Sequence, residues 1–92
     1  MENKLLYKIQ VKGQVQGVGF RLSAAIEARS LGITGFVKNL PDGNVYIEAE
    51  GSIEQLNTLV EWCRQGPGFS FVESVNVDFF PPVNYADFRI EH

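Results

Sequence analysis

In 92 residues the sequence has one cysteine, one histidine, one methionine and one tryptophan, and each scarcity closes off a class of chemistry. A lone cysteine, Cys63, forms no disulfide within the chain and suits a reducing compartment, so a cytoplasmic location is expected. The lone histidine, His92, is the last residue and reads as a chain end rather than as a general base. No cluster of histidine, cysteine or carboxylates has ligand spacing near the glycine-rich stretch of residues 13–19, so no metal is expected there. Basic charge is also short: 8 Lys and Arg stand against 11 Asp and Glu, a net charge of -3, so there is no global field to hold DNA or RNA. No apolar run approaches the roughly 18 residues of a membrane span, and the start, M-E-N-K-L-L-Y-K-I-Q, lacks the apolar segment of a signal peptide. Neither export nor membrane insertion is expected. There is no internal repeat, low-complexity tract or linker, and residues 1–92 read as one domain.

What is present alternates between strand and helix signals. In Leu5 to Lys12, Tyr7, Ile9 and Val11 alternate with polar residues, the period of a half-buried strand, which Gly13 ends. From Phe20 to Leu31 the spacing puts Leu22, Ala25 and Ile26 on one face of a predicted helix, with Gly32 where a left-handed residue closes it. T-G-F-V-K-N and N-V-Y-I-E-A-E flank L-P-D-G, a hairpin signal in which Asp42 sets the turn. Val45, Ile47 and Ala49 face one side of that second strand, and Tyr46, Glu48 and Glu50 the other, with the glutamates solvated. Ser52 and Gln55 form a capping box, and Ile53, Leu56, Leu59, Val60 and Cys63 make the apolar stripe of a second helix that Gly66 and Pro67 stop. S-F-V-E-S-V-N-V-D-F-F predicts a strand, Pro81-Pro82 a break, and D-F-R-I a short final strand. Phe69, Phe71, Phe79, Phe80 and Trp62 are assigned to core and edge packing. The order β-α-β-β-α-β plus a terminal strand is that of an α+β, ferredoxin-like split βαβ sandwich: a mostly antiparallel sheet with two helices on one face.

One stretch exceeds what a simple connection needs. G-Q-V-Q-G-V-G-F-R, Gly13 to Arg21, joins a strand end to a helix start, where amides are unpaired and the helix dipole favours negative charge. Gly13, Gly17 and Gly19 allow successive amides to form a nest for a tetrahedral oxyanion. Arg21 would sit in the first turn of the helix, where a cation is disfavoured unless an anion is bound nearby. A Walker A loop is excluded, since no Gly-Lys-Ser/Thr occurs, and the dinucleotide fingerprint fails because Leu22 stands where a small residue is needed.

Taken with L-G-I-T-G-F-V-K-N-L-P-D-G-N-V and G-P-G-F-S-F-V-E-S-V, the glycine stretch resembles the acylphosphatase family, and the match runs in register from the first strand to the closing F-R-I. The resemblance implies a hydrolase of carboxyl-phosphate anhydrides that needs no cofactor and no metal. By the same resemblance a loop including Val15, Gln16, Gly17, Val18, Gly19 and Phe20 cradles the phosphate, Arg21 binds the phosphoryl oxygens, and Asn39 positions the attacking water. The chain departs from the commoner family pattern at Gly19, Ala24 and Phe36. The expected partners are a small-molecule acyl phosphate and, as competitors, inorganic phosphate or sulfate; the expected state is a monomer bound to neither nucleic acid nor membrane. Two other classes share the element order. An RNA-recognition module wants basic, aromatic strand faces, where this chain has Y-I-E-A-E. A non-catalytic ferredoxin-like regulatory domain would bind a small anion without turning it over.

Overall fold

The computed structural model describes residues 3–92, in which seven elements follow the predicted order: β1 (Leu5–Gln14), α1 (Phe20–Ser30), β2 (Thr34–Asn39), β3 (Val45–Gly51), α2 (Ile53–Gln65), β4 (Phe71–Phe80) and β5 (Phe88–Ile90). The strands form one sheet in the order β4-β1-β3-β2-β5, antiparallel throughout except where β5 joins β2 in parallel. Alternation does what period 2 requires. Tyr7, Ile9, Val11, Val37, Val45, Ile47 and Ala49 are buried beneath the helices, α2 over the β4-β1 half and α1 over the β2-β5 half. α2 is closed at its start by the expected capping box of Ser52 and Gln55, and Leu56, Leu59, Val60 and Cys63 enter the core while Ile53 stays exposed.

α1 buries a different face from the one expected. Phe20, Ala24, Ala25 and Ala28 are its buried residues, whereas Leu22 and Ile26 are 57% and 58% exposed. The alanines let the helix approach the sheet closely, and at 100° per residue Leu22 and Ile26 fall outside the arc they define. The strand-end glycine also has another job. β1 runs on to Gln14, its register with β4 slips between Lys12 and Gly13, and a side chain at Gly13 (φ 137°) would run into the carbonyl oxygen of Phe71. Gly13 therefore makes a bulged seam possible and lies within β1, outside the connection to α1.

The face of the sheet away from the helices is partly covered by the chain itself. Between β4 and β5 the backbone crosses from one sheet edge to the other, and Glu50, expected in solvent, is only 1% exposed beneath it. Its carboxylate accepts the amides of Val83, Asn84 (2.9 Å) and Tyr85 (2.6 Å). Glu48 alongside accepts the phenols of Tyr46 (2.6 Å) and Tyr85 (2.5 Å), and Phe36 packs its ring on both tyrosines. The phenylalanines flanking and ending β4 are not core: Phe69, Phe71 and Phe79 are largely exposed, since β4 is an edge strand. Phe80 keeps one partner, the Lys8 ammonium 4.4 Å from its ring centre, and Trp62 packs on buried Phe20.

Burial has consequences that can be measured. Glu50→Ala leaves three strap amides without their acceptor, and stability should fall by about 3 kcal/mol, read as a lower urea midpoint. Burial, more than the weaker pulls of Arg64 and Glu27, pushes the Cys63 thiol from 9.0 up to about 12. Burial followed by the hydrogen bond to Glu48 pushes Tyr85 to about 12. In both cases the native state holds a proton that the unfolded chain gives up, so the contribution is complete below the unfolded values and is lost as pH rises toward 12. The urea midpoint should decline steadily from about pH 9 upward, less steeply in Cys63→Ala, and a thiol reagent at pH 8 should label Cys63 only after unfolding.

Candidate active site

The loop from β1 to α1 is shaped by two left-handed glycines. Gly17 (φ 76°) and Gly19 (φ 81°) have open space where a side chain would project, so backbone conformation rather than crowding demands glycine there. Gly19 is the N-cap of α1, yet it offers no side-chain cap, and the first turn carries no acidic residue. Among the described residues, none of the turn and loop hydrogen bonds takes its donor from Val15 to Leu22; the first such donor is Ser23, to the Gly19 carbonyl (3.0 Å). A run of unspent amides at the positive end of a helix dipole is an anion-binding surface.

Gln16 locks this loop in place. Its side-chain amide donates both hydrogens, to the carbonyls of Leu40 and Asn44, each at 2.8 Å. The acceptors belong to the β2–β3 turn, which is closed by Leu40 N–H to Asn44 carbonyl (2.8 Å) and by Asp42, whose carboxylate accepts the Asn44 amide (3.0 Å) as the turn chemistry predicts. Asn39 is the last residue of β2, just before that turn. The tether therefore brings Asn39 to the glycine loop across 20 or more residues of sequence.

Arg21 reaches the other side of the same cleft. One terminal nitrogen donates to the Glu91 carbonyl at 2.9 Å and lies 3.2 Å from Nδ1 of His92; among the described residues the rest of the guanidinium has no protein acceptor. The cleft, about 260 Å³, is lined by Val15, Gly17, Gly19, Phe20, Arg21, Leu22, Asn39, Ile90 and His92. No carboxylate side chain borders it. Asn39 is one of the lining residues, and its Oδ1 is buried without a hydrogen-bond partner. Of the expected site residues, Val15, Gly17, Gly19, Phe20, Arg21 and Asn39 meet here. Gln16 instead serves as the tether, and Val18 packs against the core.

His92 is the contributor that sequence reasoning set aside. β5 pairs with β2 in the register Val37 to Ile90, and Glu91 N–H bonds the Val37 carbonyl (2.8 Å), so two residues further along each segment lie Asn39 and His92. A three-residue parallel strand leaves no periodic signal for that pairing.

A larger cleft, about 450 Å³, lies at the start of β1 and of α2, lined by Asn3, Leu5, Ser52, Ile53 and Glu54. Size does not make it the better anion site. The N-terminus of α2 is already closed by its capping box, and Glu54 in its first turn supplies negative charge of its own.

Comparisons with known proteins place the chain in a family. A family model described as acylphosphatase matches residues 7–90. An acylphosphatase of Marinobacter nauticus is 46% identical over 87 residues, 94% of this chain and 95% of that protein. Among solved structures, the acylphosphatase of Bacillus subtilis superposes with a TM-score of 0.93 at 39% identity, covering 96% of this chain and 99% of the other; that of Coxiella burnetii gives 0.93 at 38% identity, covering 97% and 94%. With one family spanning both the fold and the stretches that build the cleft, the chain belongs to the acylphosphatase family.

Proposed function

We propose that this protein hydrolyses the carboxyl-phosphate anhydride of acyl phosphates, with the amides of the Val15–Phe20 loop and the Arg21 guanidinium holding the phosphoryl oxygens and Asn39 holding the water. The observation that carries the reading is Asn39, which lines the same cleft as the unspent amides and the free edge of Arg21 and whose buried Oδ1 has no hydrogen-bond partner. A buried acceptor without a donor costs about 1–3 kcal/mol, and a water hydrogen satisfies it. The guanidinium's remaining N–H groups present a planar fork suited to two phosphoryl oxygens.

The reaction asks for little more. The water oxygen forms a bond to phosphorus as the bond from phosphorus to the bridging oxygen breaks. The electron pair of that bond leaves on the carboxylate, and both water hydrogens end on phosphate oxygens. Because the leaving carboxylate has a conjugate acid with a pKa of about 4, no general acid is required. Phosphoryl transfer through a loose transition state depends on positioning and on charge stabilisation at the equatorial oxygens. Loop amides and Arg21 supply the second, and Asn39 the first. The same donors take inorganic phosphate and sulfate as competitors, and the protein works as a monomer in the cytoplasm, where the buried Cys63 stays reduced. Among the described residues, no helix is long and apolar enough to cross a membrane.

Asn39→Ala should lose about a hundredfold in kcat, on the order of 3 kcal/mol, while inhibition by phosphate is nearly unchanged. The measurement belongs at a temperature where circular dichroism shows the variant folded, and a wild-type kcat there would remove Asn39 from the mechanism. Arg21→Lys keeps a charge but loses the fork, so kcat/KM and phosphate inhibition should both drop severely. Among the described residues, no three of His, Cys, Asp and Glu group to hold a metal ion, and benzoyl phosphate hydrolysis should continue unchanged in excess EDTA.

A further inference from the structure

The two large apolar side chains that α1 turns away from the core stand beside the phosphate site. Leu22 lines the cleft with 57% of its surface exposed, and Ile26, 58% exposed, follows one helical turn later. Side chains four apart on a helix lie on the same face and lean toward its N-terminus, here toward the cleft. Ile90, half-buried, borders the cleft as well. The result is an apolar ledge continuous with an anion pocket. Exposed apolar residues scattered singly are unremarkable, but a contiguous pair at the rim of a binding cleft is a place where an apolar ligand gains by leaving water.

From this placement, and resting on the acyl phosphate reading above, we infer that Leu22, Ile26 and Ile90 form the acyl-group subsite and select substrates with extended hydrocarbon acyl groups over short or charged ones. Continuity commits the ledge to this occupant. In an acyl phosphate only the bridging oxygen separates the phosphorus from the carbonyl carbon, so a group whose phosphoryl end is held by the loop and Arg21 must lay its acyl end on the adjoining wall. No carboxylate or lysine side chain lines the cleft to pair with a charge on that acyl group, and the one charged side chain, Arg21, is aimed at the phosphate. Leu22 and Ile26 are thus exposed for use: they keep a hydrocarbon-binding surface in reach of a polar reaction centre.

The test compares kcat/KM for hexanoyl phosphate and acetyl phosphate, whose leaving carboxylates are nearly equal in basicity, so that their ratio reads the hydrocarbon contact. The wild type should favour hexanoyl phosphate by at least tenfold. Leu22→Ser should lower that preference about five- to tenfold and Ile26→Ser by a smaller factor, since each removes apolar contact made to the longer chain. Both positions are exposed, so the variants are expected to fold. Phe69→Ser, an exposed aromatic that does not line the cleft, should leave the ratio as it is. Hydrolysis of both substrates with a ratio that neither variant moves would overturn the subsite while leaving the reaction standing. Hydrolysis of neither substrate by the wild type would overturn the reaction and the subsite together.

Discussion

A single carboxylate on the outer face of the sheet decides whether the far end of the chain reaches the site. Glu50 accepts three consecutive backbone amides of the segment that carries the chain from the β4 edge to the β5 edge. Without that anchor the segment's three amides would be left unpaired, which is costly away from water. With it, β5 lands in parallel register beside β2, Arg29 donates twice to the Phe88 carbonyl, and the Glu91 carbonyl arrives at Arg21. The cleft is at the N-terminal end of α1, yet its completion depends on polar chemistry on the opposite face of the sheet.

On the proposed reading, the cleft would draw its catalytic power mostly from groups that carry no carboxylate charge. Its polar contributors are backbone amides, one guanidinium, one carboxamide and the His92 ring. Amides and carboxamides have no protonation state to tune, so their placement is everything, and placement here is fixed by hydrogen bonds outside the cleft. Gln16 spends both of its donor hydrogens on two carbonyls of the neighbouring turn. Arg21 spends one nitrogen on the chain's last two residues and keeps the rest for use. Electrostatic preorganisation of this kind needs no rearrangement at the moment of reaction.

Local chemistry made much of this legible in the sequence. The capping box at Ser52, the L-P-D-G turn and the glycine loop before Arg21 each follow from the preferences of a few adjacent residues, and the structure has all three. The element order and Asn39's position at the end of β2 came with them. What stayed hidden depends on neighbours distant in sequence. Helical spacing treats Ala24 and Leu22 alike as apolar, so it does not show that Phe20 and the alanines face the sheet while Leu22 and Ile26 stay exposed. Alternation put Glu50 on the outer face correctly but could not show a strap from residues 83–85 covering it. Gly13 groups with the loop in the sequence because its partner, the Phe71 carbonyl, comes almost sixty residues later. Nothing in the sequence marks His92 as more than a terminus, because parallel pairing of three residues leaves no signature.

The strand order has a further consequence, in time rather than in space. The glycine loop, Asn39 and Ile90 are drawn from the first, middle and last thirds of the chain, and the order β4-β1-β3-β2-β5 seats β1 between strands that follow it by dozens of residues. Such non-local pairings impose their loop-closure entropy before they return any contact energy, which makes folding slow compared with helical proteins of this length. A partly folded molecule holding only the β2–β3 hairpin or one helix has no cleft at all. Turnover of substrate therefore reports the finished topology, and the recovery of activity during refolding should keep pace with the last strands to pair rather than with the first helices to form.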